Sequence, residues 1–533
     1  MMSRILNWFD SHPFAKGALT LLWAVLSIAA IALALLMSIT PLFYGGIASL
    51  IACVFRPGSA LHKPTMEKWN FGKFLICLLV LVVTVLTCII PMGYLSLWNG
   101  EIPGHRNQYE LMAEAILDGR VNLVYGDEDA LAELENPYDP AEREEAGVPF
   151  HWDHAYYNGQ YFMYFGVVPV FLIFLPYRVL TGTALTTYHA TQVFAALFIV
   201  GIFALFYLLT KLFFKKLPFS VYLALSVAFS VVSIWFSIAE AALYCTAITA
   251  ALALMVWSLY FFVKAVWGET RENVQLIYAA IGAIFGALTF GCRPPIALAN
   301  LLVLPMLVVF LKQRKFSLKL LGKLVLVALP YVLVAAGLMY YNYIRFDDPF
   351  EFGQAYQLTV ADQHLYKITL NAETIVRVIN ESAHNFFGIG NLTETFPYLR
   401  TCSIFFNFPI FFLCFAIFKK DIGDQMKKKT ILPFAIGLIA TAVIITAIDI
   451  MWTPFLLERY RMDIYFLMGI ACFLVVGFWY STSSTSKHKT FASLTVLAAV
   501  LTIVAVFLLY VRTVGAYYPH VIGDFEEMLS LKP

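Results

Sequence analysis

The sequence contains little charge for its length. Asp, Glu, Lys and Arg make up 13% of its 533 residues, whereas soluble domains carry about 25%. Hydrophobic residues reach 61%, which excludes an ordinary soluble globular fold. The formal net charge is only +2, and no basic stripe is evident, so we expect no nucleic-acid partner.

Paired cysteine spacings are also missing. The eight cysteines do not follow a metal-site pattern, and six of them lie inside apolar segments, where we expect small hydrophobic packing: Cys53, Cys77, Cys88, Cys245, Cys414 and Cys472. The sequence lacks an internal repeat, which is a common mark of secondary transporters. Its first apolar stretch is long and has no small-residue cleavage site, so no cleavable signal peptide is expected.

Long apolar segments predict an all-α polytopic membrane protein with about thirteen transmembrane helices. A spanning helix needs about 20 apolar residues. We place the spans near residues 17–37, 39–55, 74–97, 189–214, 217–238, 241–265, 275–291, 295–311, 321–343, 402–418, 431–449, 462–480 and 491–512. The first two are expected to form a hairpin that turns near Ser38–Pro41.

Basic clusters between the spans predict the orientation. They lie at residues 56–73, 211–216, 312–323 and 419–429, and thirteen crossings place all four, with the N-terminus, in the cytoplasm. The extracytoplasmic loops are then residues 98–188, 344–401 and 450–461, within one domain covering 1–533. Residues 99–160 hold 14 acidic and 3 basic side chains, which agrees with that side.

Residues 161–180 are apolar enough to span. A span here would move every later basic loop outside. We therefore expect a helix that lies along or dips into the outer interface, broken by Pro169 and Pro176.

An aromatic run that contains Asp153 and His154 closes the first outer loop. A partly desolvated carboxylate near cationic groups can take the proton of an acceptor hydroxyl, so both residues are catalytic candidates. The alternative for Asp153 is a solvated loop residue or a turn cap. Asp139, between Pro137 and Pro140, fits a structural turn better than a catalyst.

Four arginines are candidates for binding a donor phosphate. Arg293 lies between two apolar segments, where a charge is costly unless it is paired or interfacial; a lipid phosphate and a helix-end anchor are its two alternatives. Arg345 begins the second outer loop, and Arg459 and Arg461 belong to the third. For the last two, the alternative is internal salt bridges, Glu458 with Arg461 or Arg459 with Asp463.

Several stretches resemble a known family. They are residues 109–120 (YELMAEAILDGR), 136–140 (NPYDP), 152–169 (WDHAYYNGQYFMYFGVVP) and 341–353 (YNYIRFDDPFEFG). The first three are similar to the first outer loop of bacterial polytopic glycosyltransferases with the GT-C fold, of the type that depends on polyprenyl-phosphate sugars. The last resembles uncharacterised members of that group.

The resemblance implies a reaction. Such enzymes move a sugar from a polyprenyl-phosphate donor, with inversion, to a lipid-linked glycan, cell-envelope polymer or protein at the outer face of the bacterial plasma membrane. A first-loop carboxylate is the base, and cationic side chains hold the phosphate. No cofactor is required, although a divalent metal could help the phosphate leave. Candidate substrate-binding residues are Tyr109, Glu110, Asp139, Tyr156, Tyr157, Glu351 and Tyr356.

The sequence departs from the family at one place. Many relatives carry an acid shortly before the tyrosine that opens the loop, but residues 104–109 read GHRNQY. The base is then Asp153, Glu110 or Glu101, or the chain is not a standard enzyme. We assign Asp153, which must lie near Arg293, Arg459 or Arg461. The rival interpretations are a transporter or flippase of a lipid-linked substrate, which would carry buried charges along its helices, and a non-catalytic glycan-assembly subunit.

Overall fold

A computed structural model describes most of the chain. The described residues are 13–37, 39–94, 108–241, 243–269, 271–314, 317–365, 369–390, 393, 396–452 and 456–530. Within them the chain is almost entirely helical, with one short antiparallel hairpin. Glu101 and residues 104–107, where relatives carry their acid, lie outside the described residues.

The first part of the chain contains ten α-helices and both strands. The helices are α1 Pro13–Met37, α2 Thr40–Val54, α3 Phe71–Tyr94, α4 Gln108–Leu117, α5 Asp129–Ala132, α6 Pro140–Ala146, α7 Leu175–Thr181, α8 Thr187–Phe213, α9 Phe219–Ala239 and α10 Leu243–Val263. The strands are β1 Ala155–Tyr157 and β2 Gln160–Phe162, and π-helical turns cover Val170–Phe174 and Lys264–Gly268.

The remaining described chain contains eleven α-helices. They are α11 Glu272–Phe290, α12 Pro294–Ala297, α13 Val303–Lys312, α14 Leu318–Phe346, α15 Ala372–Phe387, α16 Ile404–Asn407, α17 Lys420–Lys428, α18 Leu432–Trp452, α19 Met462–Thr482, α20 Thr485–Tyr517 and α21 Pro519–Ser530. The 3₁₀ helices are Ala60–His62, Leu298–Leu302, Gln363–Leu365, Pro409–Phe418 and Glu458–Arg461.

Eleven helical segments of the described chain are long and apolar enough to cross a membrane. They are Gly17–Met37, Phe71–Met92, Thr187–Phe213, Phe219–Ala239, Leu243–Gly268, Glu272–Phe290, Pro294–Lys312, Leu318–Phe346, Leu432–Trp452, Glu458–Thr482 and Ser486–Ala516. The predicted all-α polytopic fold is therefore confirmed. Two of the thirteen predicted spans, 39–55 and 402–418, correspond to shorter helices.

The N-terminal hairpin has the predicted pairing but a short second arm. The Ser27 and Ser49 hydroxyls lie 2.8 Å apart, and the Cys53 thiol donates to the Thr20 carbonyl at 3.7 Å. Helix α2 has 15 residues, which rise about 22 Å. That length is below the ~30 Å thickness of the hydrocarbon core.

The other shortened span, within residues 402–418, is wound as a 3₁₀ helix. Its ten residues Pro409–Phe418 rise about 2.0 Å each instead of 1.5 Å. They cover about 20 Å, and α16 precedes them. The tighter winding lets a segment cover a given distance with fewer residues than an α-helix needs.

The helix within residues 161–180 is shorter than predicted, because the first residues of this segment are extended. Residues 160–162 pair with 155–157 in a strand hairpin, so the predicted helix does not begin at 161. It begins at Val170, directly after Pro169, and ends at Thr181. Pro176 does not break it, because proline is tolerated at the first positions of the α-helical turn that follows the π-turn. The segment remains a short helix of 12 residues.

The core of the bundle is formed by α8, α9, α10 and α19. Helix α19 is buried along almost its whole length, as expected for a helix that is apolar on every face. Helices α1, α3 and α14 expose large apolar side chains, among them Leu21, Leu79 and Leu326. These peripheral helices present the surface that faces lipid, and the chain is an integral membrane protein.

Candidate functional site

The first and second long loops pack together at one end of the bundle, which we call the loop end. The backbone N–H of Asp153 donates to the Leu358 carbonyl at 2.9 Å, and Leu358 N–H donates to the His154 carbonyl at 2.9 Å. The Tyr156 N–H donates to the Tyr356 carbonyl at 2.9 Å. These backbone hydrogen bonds therefore hold residues 153–156 beside residues 356–358, like two paired strands at the loop end.

Asp153 has an unusual backbone conformation. Its φ is +56°, in the left-handed region that Asp and Asn tolerate better than most residues. Its own carbonyl accepts a hydrogen bond from Gln108 Nε2 at 2.8 Å, and the neighbouring segment fixes its N–H. The backbone is thus held from both sides, and the side chain turns towards the helices.

The carboxylate of Asp153 is buried and fully engaged. Its Oδ1 accepts from Gln357 Nε2 at 2.7 Å, and its Oδ2 accepts from the Tyr244 hydroxyl at the start of α10. The residue is only 6% exposed. The alternative of a solvated loop aspartate or a turn cap is therefore wrong.

Burial raises the pKa of Asp153 above its ordinary value, although the hydrogen bonds from Tyr244 and Gln357 and the charge of Arg459 act in the opposite direction. A carboxylate with a raised pKa is a stronger base than a solvated one. The environment of Asp153 therefore suits proton transfer.

Arg459 lies beside Asp153 with Tyr244 between them. Its guanidinium carbon is 4.1 Å from the Tyr244 ring centre and 5.5 Å from that of Tyr460. Among the described residues, no carboxylate lies within salt-bridge distance of Arg459. The alternative of a salt bridge between Arg459 and Asp463 is therefore wrong, and this cation is stacked on aromatic rings instead.

Arg293 is the actual partner of Asp463. Its Nε lies 2.8 Å from both carboxylate oxygens, and its Nη2 lies 2.7 Å from Oδ2. Asp449 acts electrostatically on both members of this pair. The guanidinium carbon of Arg293 is also 5.0 Å from the Tyr460 ring centre. Neither sequence alternative for Arg293 named this internal ion pair. Among the described residues, its Nη1 has no recorded hydrogen-bond partner.

Tyr164 connects the two halves of the site. Burial raises its pKa, and Tyr460, Asp153 and Arg293 all act on it electrostatically. Tyr460 in turn lies under both Arg293 and Arg459. The base candidate and two of the four arginine candidates therefore lie close together around Tyr164 and Tyr460 at the loop end of the bundle.

The other two arginines are used within the fold. Arg461 pairs with Glu458 at 3.0 Å, as one sequence alternative expected, and donates to Asn385 Oδ1 at 2.8 Å. Arg345 is buried and donates to the Met163 carbonyl and to Asn342 Oδ1, both at 2.8 Å. Their donor groups hold loops against helices, so the structure does not bring them to the space beside Asp153.

His154 faces away from that space. Its Nε2 lies 2.6 Å from the Tyr125 hydroxyl, and its Nδ1 lies 3.0 Å from the Trp152 carbonyl. Both ring nitrogens therefore have partners inside the loop. These partners hold the His154 ring within the loop, and its catalytic role stays a prediction.

Three predicted substrate-binding residues have structural partners of their own, and one of them, Tyr109, also interacts electrostatically with Arg293. Tyr109 is fully buried and stacks on Phe174 at 5.1 Å. Glu110 pairs with Arg178 at 3.5 Å. Asp139 caps α6 by accepting from the Ala141 N–H at 2.9 Å, which is the turn role that its flanking prolines favour.

Four others lie within the two loops at the loop end. The buried Tyr156 donates to the Glu128 carbonyl at 2.9 Å, and Glu351 accepts from the Gly353 N–H at 2.6 Å. Tyr157 and Tyr356 form an aromatic pair with ring centres 4.6 Å apart. Of these four, only Glu351 acts electrostatically on Tyr164.

Sequence reasoning missed Tyr244, Gln357, Tyr164 and Tyr460. Tyrosines near helix ends are ordinary interfacial anchors in membrane proteins, so their type and position gave no distinctive signal. Gln357 is 204 residues from Asp153 in the chain, and only the pairing of the two loops brings them together. In the described part of the chain, no three His, Cys, Asp or Glu side chains are grouped to hold a metal ion.

Two solved structures are similar to this chain. One is the Archaeoglobus fulgidus oligosaccharyltransferase in its apo form, with a TM-score of 0.43 and 12% identity, covering 83% of this chain and 56% of that one. The other is ArnT from Cupriavidus metallidurans bound to undecaprenyl phosphate, with a TM-score of 0.41, 12% identity and coverages of 87% and 77%. This chain thus matches little more than half of the oligosaccharyltransferase. No family model and no curated protein matches it.

Proposed function

We propose that this chain is a membrane glycosyltransferase that moves a sugar from a polyprenyl-phosphate donor to a glycan, lipid or protein acceptor at the loop end. The observation that carries the proposal is the buried carboxylate of Asp153, held by Tyr244 and Gln357 next to an arginine that has no carboxylate partner among the described residues. A base beside a cation is what transfer from a phosphate-linked sugar needs.

In this reaction one proton is transferred, one bond to the anomeric carbon forms and one bond to it breaks. The acceptor oxygen gives its proton to Asp153 and forms a bond to the anomeric carbon of the sugar. The bond between that carbon and the phosphate oxygen breaks, and the polyprenyl phosphate leaves with the bonding electrons. Attack from the face opposite to the leaving phosphate gives inversion.

Arg459 is the residue best placed to bind the leaving phosphate. Its guanidinium stacks on Tyr244, which orients it without using its hydrogen-bond donors. Arg293 has Nε and Nη2 bonded to Asp463, so it offers one nitrogen. As negative charge grows on the phosphate, a preorganised guanidinium in a partly buried site stabilises it more than water would.

The test is sugar transfer by the purified full-length protein, supplied with radiolabelled polyprenyl-phosphate sugars and a membrane extract as the acceptor mixture. Asp153→Asn keeps the shape of the residue, and Asn also tolerates the left-handed backbone. We expect this variant to lose transfer by at least about 100-fold, the usual contribution of a general base.

The matched control is Asp118→Asn, which removes an exposed carboxylate of the same loop. It should transfer like the wild type. Equal activity of wild type and Asp153→Asn would keep the reaction class and remove Asp153 as the base. Absence of transfer by the wild type with every donor would count against an enzyme and favour a flippase or a glycan-assembly subunit.

A further inference from the structure

A cleft lies at the loop end, between the first and second long loops. It is a cleft of about 500 Å³ between α6 and residues 359–360, within the usual size of small-ligand sites, about 300–1,000 Å³. Its lining includes Phe150, Trp152 and Thr359. The donor and base functions described above use none of these side chains.

The cleft is connected to Asp153 by two residues of its wall. Thr359 interacts with the Asp153 side chain. Trp152 precedes Asp153 in the chain and interacts with the Tyr244 hydroxyl, the group that donates to Asp153. A molecule in the cleft would therefore contact Trp152 and Thr359, the two lining residues that adjoin Asp153.

Trp152 gives the cleft an open aromatic surface. It is 46% exposed although its neighbour Asp153 is buried, and its ring centre is 6.1 Å from that of Phe150. Tryptophan is enriched at interfaces because it combines a flat apolar ring with a polar N–H. The flat rings can pack against the apolar face of a sugar ring, and the hydroxyl of Thr359 can bond its polar edge.

The back wall of the cleft contains an unusual buried cation. Arg143 is 2% exposed and donates to the carbonyls of Pro137 and Thr359, both at 2.7 Å. Its guanidinium carbon is 4.5 Å from the Phe150 ring centre, and its Nε has no hydrogen-bond partner in the described chain. A buried donor without a partner is costly, and a ligand hydroxyl or a water can satisfy it.

The exposed charge in the lining of the cleft is acidic. The lining contains two charged residues, the buried Arg143 and the exposed Glu144. Like charges disfavour anionic ligands at such a rim. The charge therefore favours a neutral or amino-bearing ligand over a phosphate- or carboxylate-rich one.

From these observations we propose that the cleft binds the acceptor and that the acceptor is a neutral or amino-sugar glycan stacked on Trp152. This deepens the proposed function and rests on it, because it names the substrate on the base side of the same site. The sugar hydroxyl that points past Trp152 and Thr359 is the one that reaches Asp153.

The experiment is direct binding of the fluorescently labelled full-length protein, in detergent micelles, to an array of neutral, amino-sugar and acidic oligosaccharides and of short peptides. We expect the wild type to bind neutral or amino-sugar glycans. Trp152→Ala should weaken that binding about tenfold or more, which corresponds to losing one aromatic contact. The control Tyr398→Ala removes an aromatic residue that is 54% exposed on the second loop and should bind normally.

A charge variant gives an independent check. Glu144→Lys changes an exposed rim residue and should shift binding towards acidic glycans. Binding of no glycan by the wild type, or equal binding by Trp152→Ala, would overturn the proposal. Preferential binding of peptides that depends on Trp152 would overturn its carbohydrate assignment.

Failure of the acceptor site and failure of the proposed function give different results. Asp153→Asn should still bind glycans while transferring no sugar. Glycan binding through Trp152 without any donor turnover by the wild type would retain the cleft as a glycan site and reject the transferase. Sugar transfer that is unchanged in Trp152→Ala would retain the transferase and reject the cleft.

Discussion

At the residue scale, the site depends on a carboxylate with two neutral hydrogen-bond donors. Tyr244 and Gln357 each donate to one oxygen of Asp153, so the ionised form is stabilised without a direct ion pair. Burial acts in the opposite direction and is the larger effect, which leaves the pKa of Asp153 raised. A base built in this way keeps its proton affinity, which a salt bridge to Arg459 would have lowered further.

This arrangement predicts a pH dependence. Transfer requires ionised Asp153, so activity should fall as the pH decreases through its raised pKa. Tyr244→Phe removes a hydrogen bond that lowers this pKa, and the acidic limb of the rate profile should therefore move to higher pH. The measurement is transfer rate against pH for both proteins. A limb that stays in place, or moves to lower pH, would show that another group controls it.

Substitution of Arg459 should mainly reduce the transfer rate, whereas substitution of Arg293 should mainly reduce stability. Arg459→Gln should reduce transfer by about 10²–10³ by removing a preorganised cation, with little change in thermal stability, since Arg459 has no ion pair among the described residues. Arg459→Lys should recover part of the rate. A large loss of stability in Arg459→Gln would assign this arginine to the fold instead of the reaction.

Arg293→Met should lower stability, because it leaves Asp463 buried and without its cation. Losing one member of a buried pair costs about 3–5 kcal/mol. The double variant Arg293→Met with Asp463→Leu removes both charges and should regain much of that stability. Thermal unfolding in detergent measures both, and equal melting temperatures for the single and double variants would contradict the pairing.

At the element scale, the site is placed by a close crossing between the loop after β2 and the turn between α11 and α12. The Val168 N–H donates to the Gly291 carbonyl at 2.9 Å. A Cβ on Gly166 would come within 2.3 Å of the same carbonyl oxygen. Glycine is thus required for the backbone of the first loop to approach the turn that carries Arg293.

Gly166→Ala should therefore destabilise the protein and separate the two halves of the site. Overpacking of this kind costs about 1–3 kcal/mol. Gly322→Ala in α14, where an added Cβ meets no atom within 4 Å, is the matched control and should be neutral or slightly stabilising. The melting temperatures of the two variants test the crossing, which would be refuted if both behaved like the wild type.

At the scale of the whole molecule, the fold separates two chemically different ends. Residues 56–73 pack against the region of Lys211 and Leu217. Lys211 Nζ donates to the Met66 carbonyl at 3.2 Å, and the Met66 N–H donates to the Leu217 carbonyl at 3.0 Å. Two basic clusters therefore share one end, as the charge pattern predicted. The other end of the molecule contains the acidic first loop, the second loop and residues 458–461.

The positive-inside rule then predicts the orientation of the protein in a cell. A cysteine placed at the exposed Asp118 should react with a membrane-impermeant maleimide in intact cells. One placed at the exposed Lys428 should react only after permeabilisation. The native cysteines described are buried or half-buried, which keeps the background low. The reverse labelling pattern would place Asp153 in the cytoplasm and reject an extracytoplasmic donor site.

The sequence by itself determined the membrane class, most helix positions, the grouping of charges at two ends and the candidate Asp153. These follow from local composition, because lipid requires long apolar helices and a charge bias is visible along the chain. It could not give the partners of the charges. Asp463 joined Arg293 instead of Arg459, Arg345 turned inward, and Tyr244 and Gln357 reached Asp153 across 91 and 204 residues. Such choices depend on which helix ends and loops meet, so only the tertiary structure decided them.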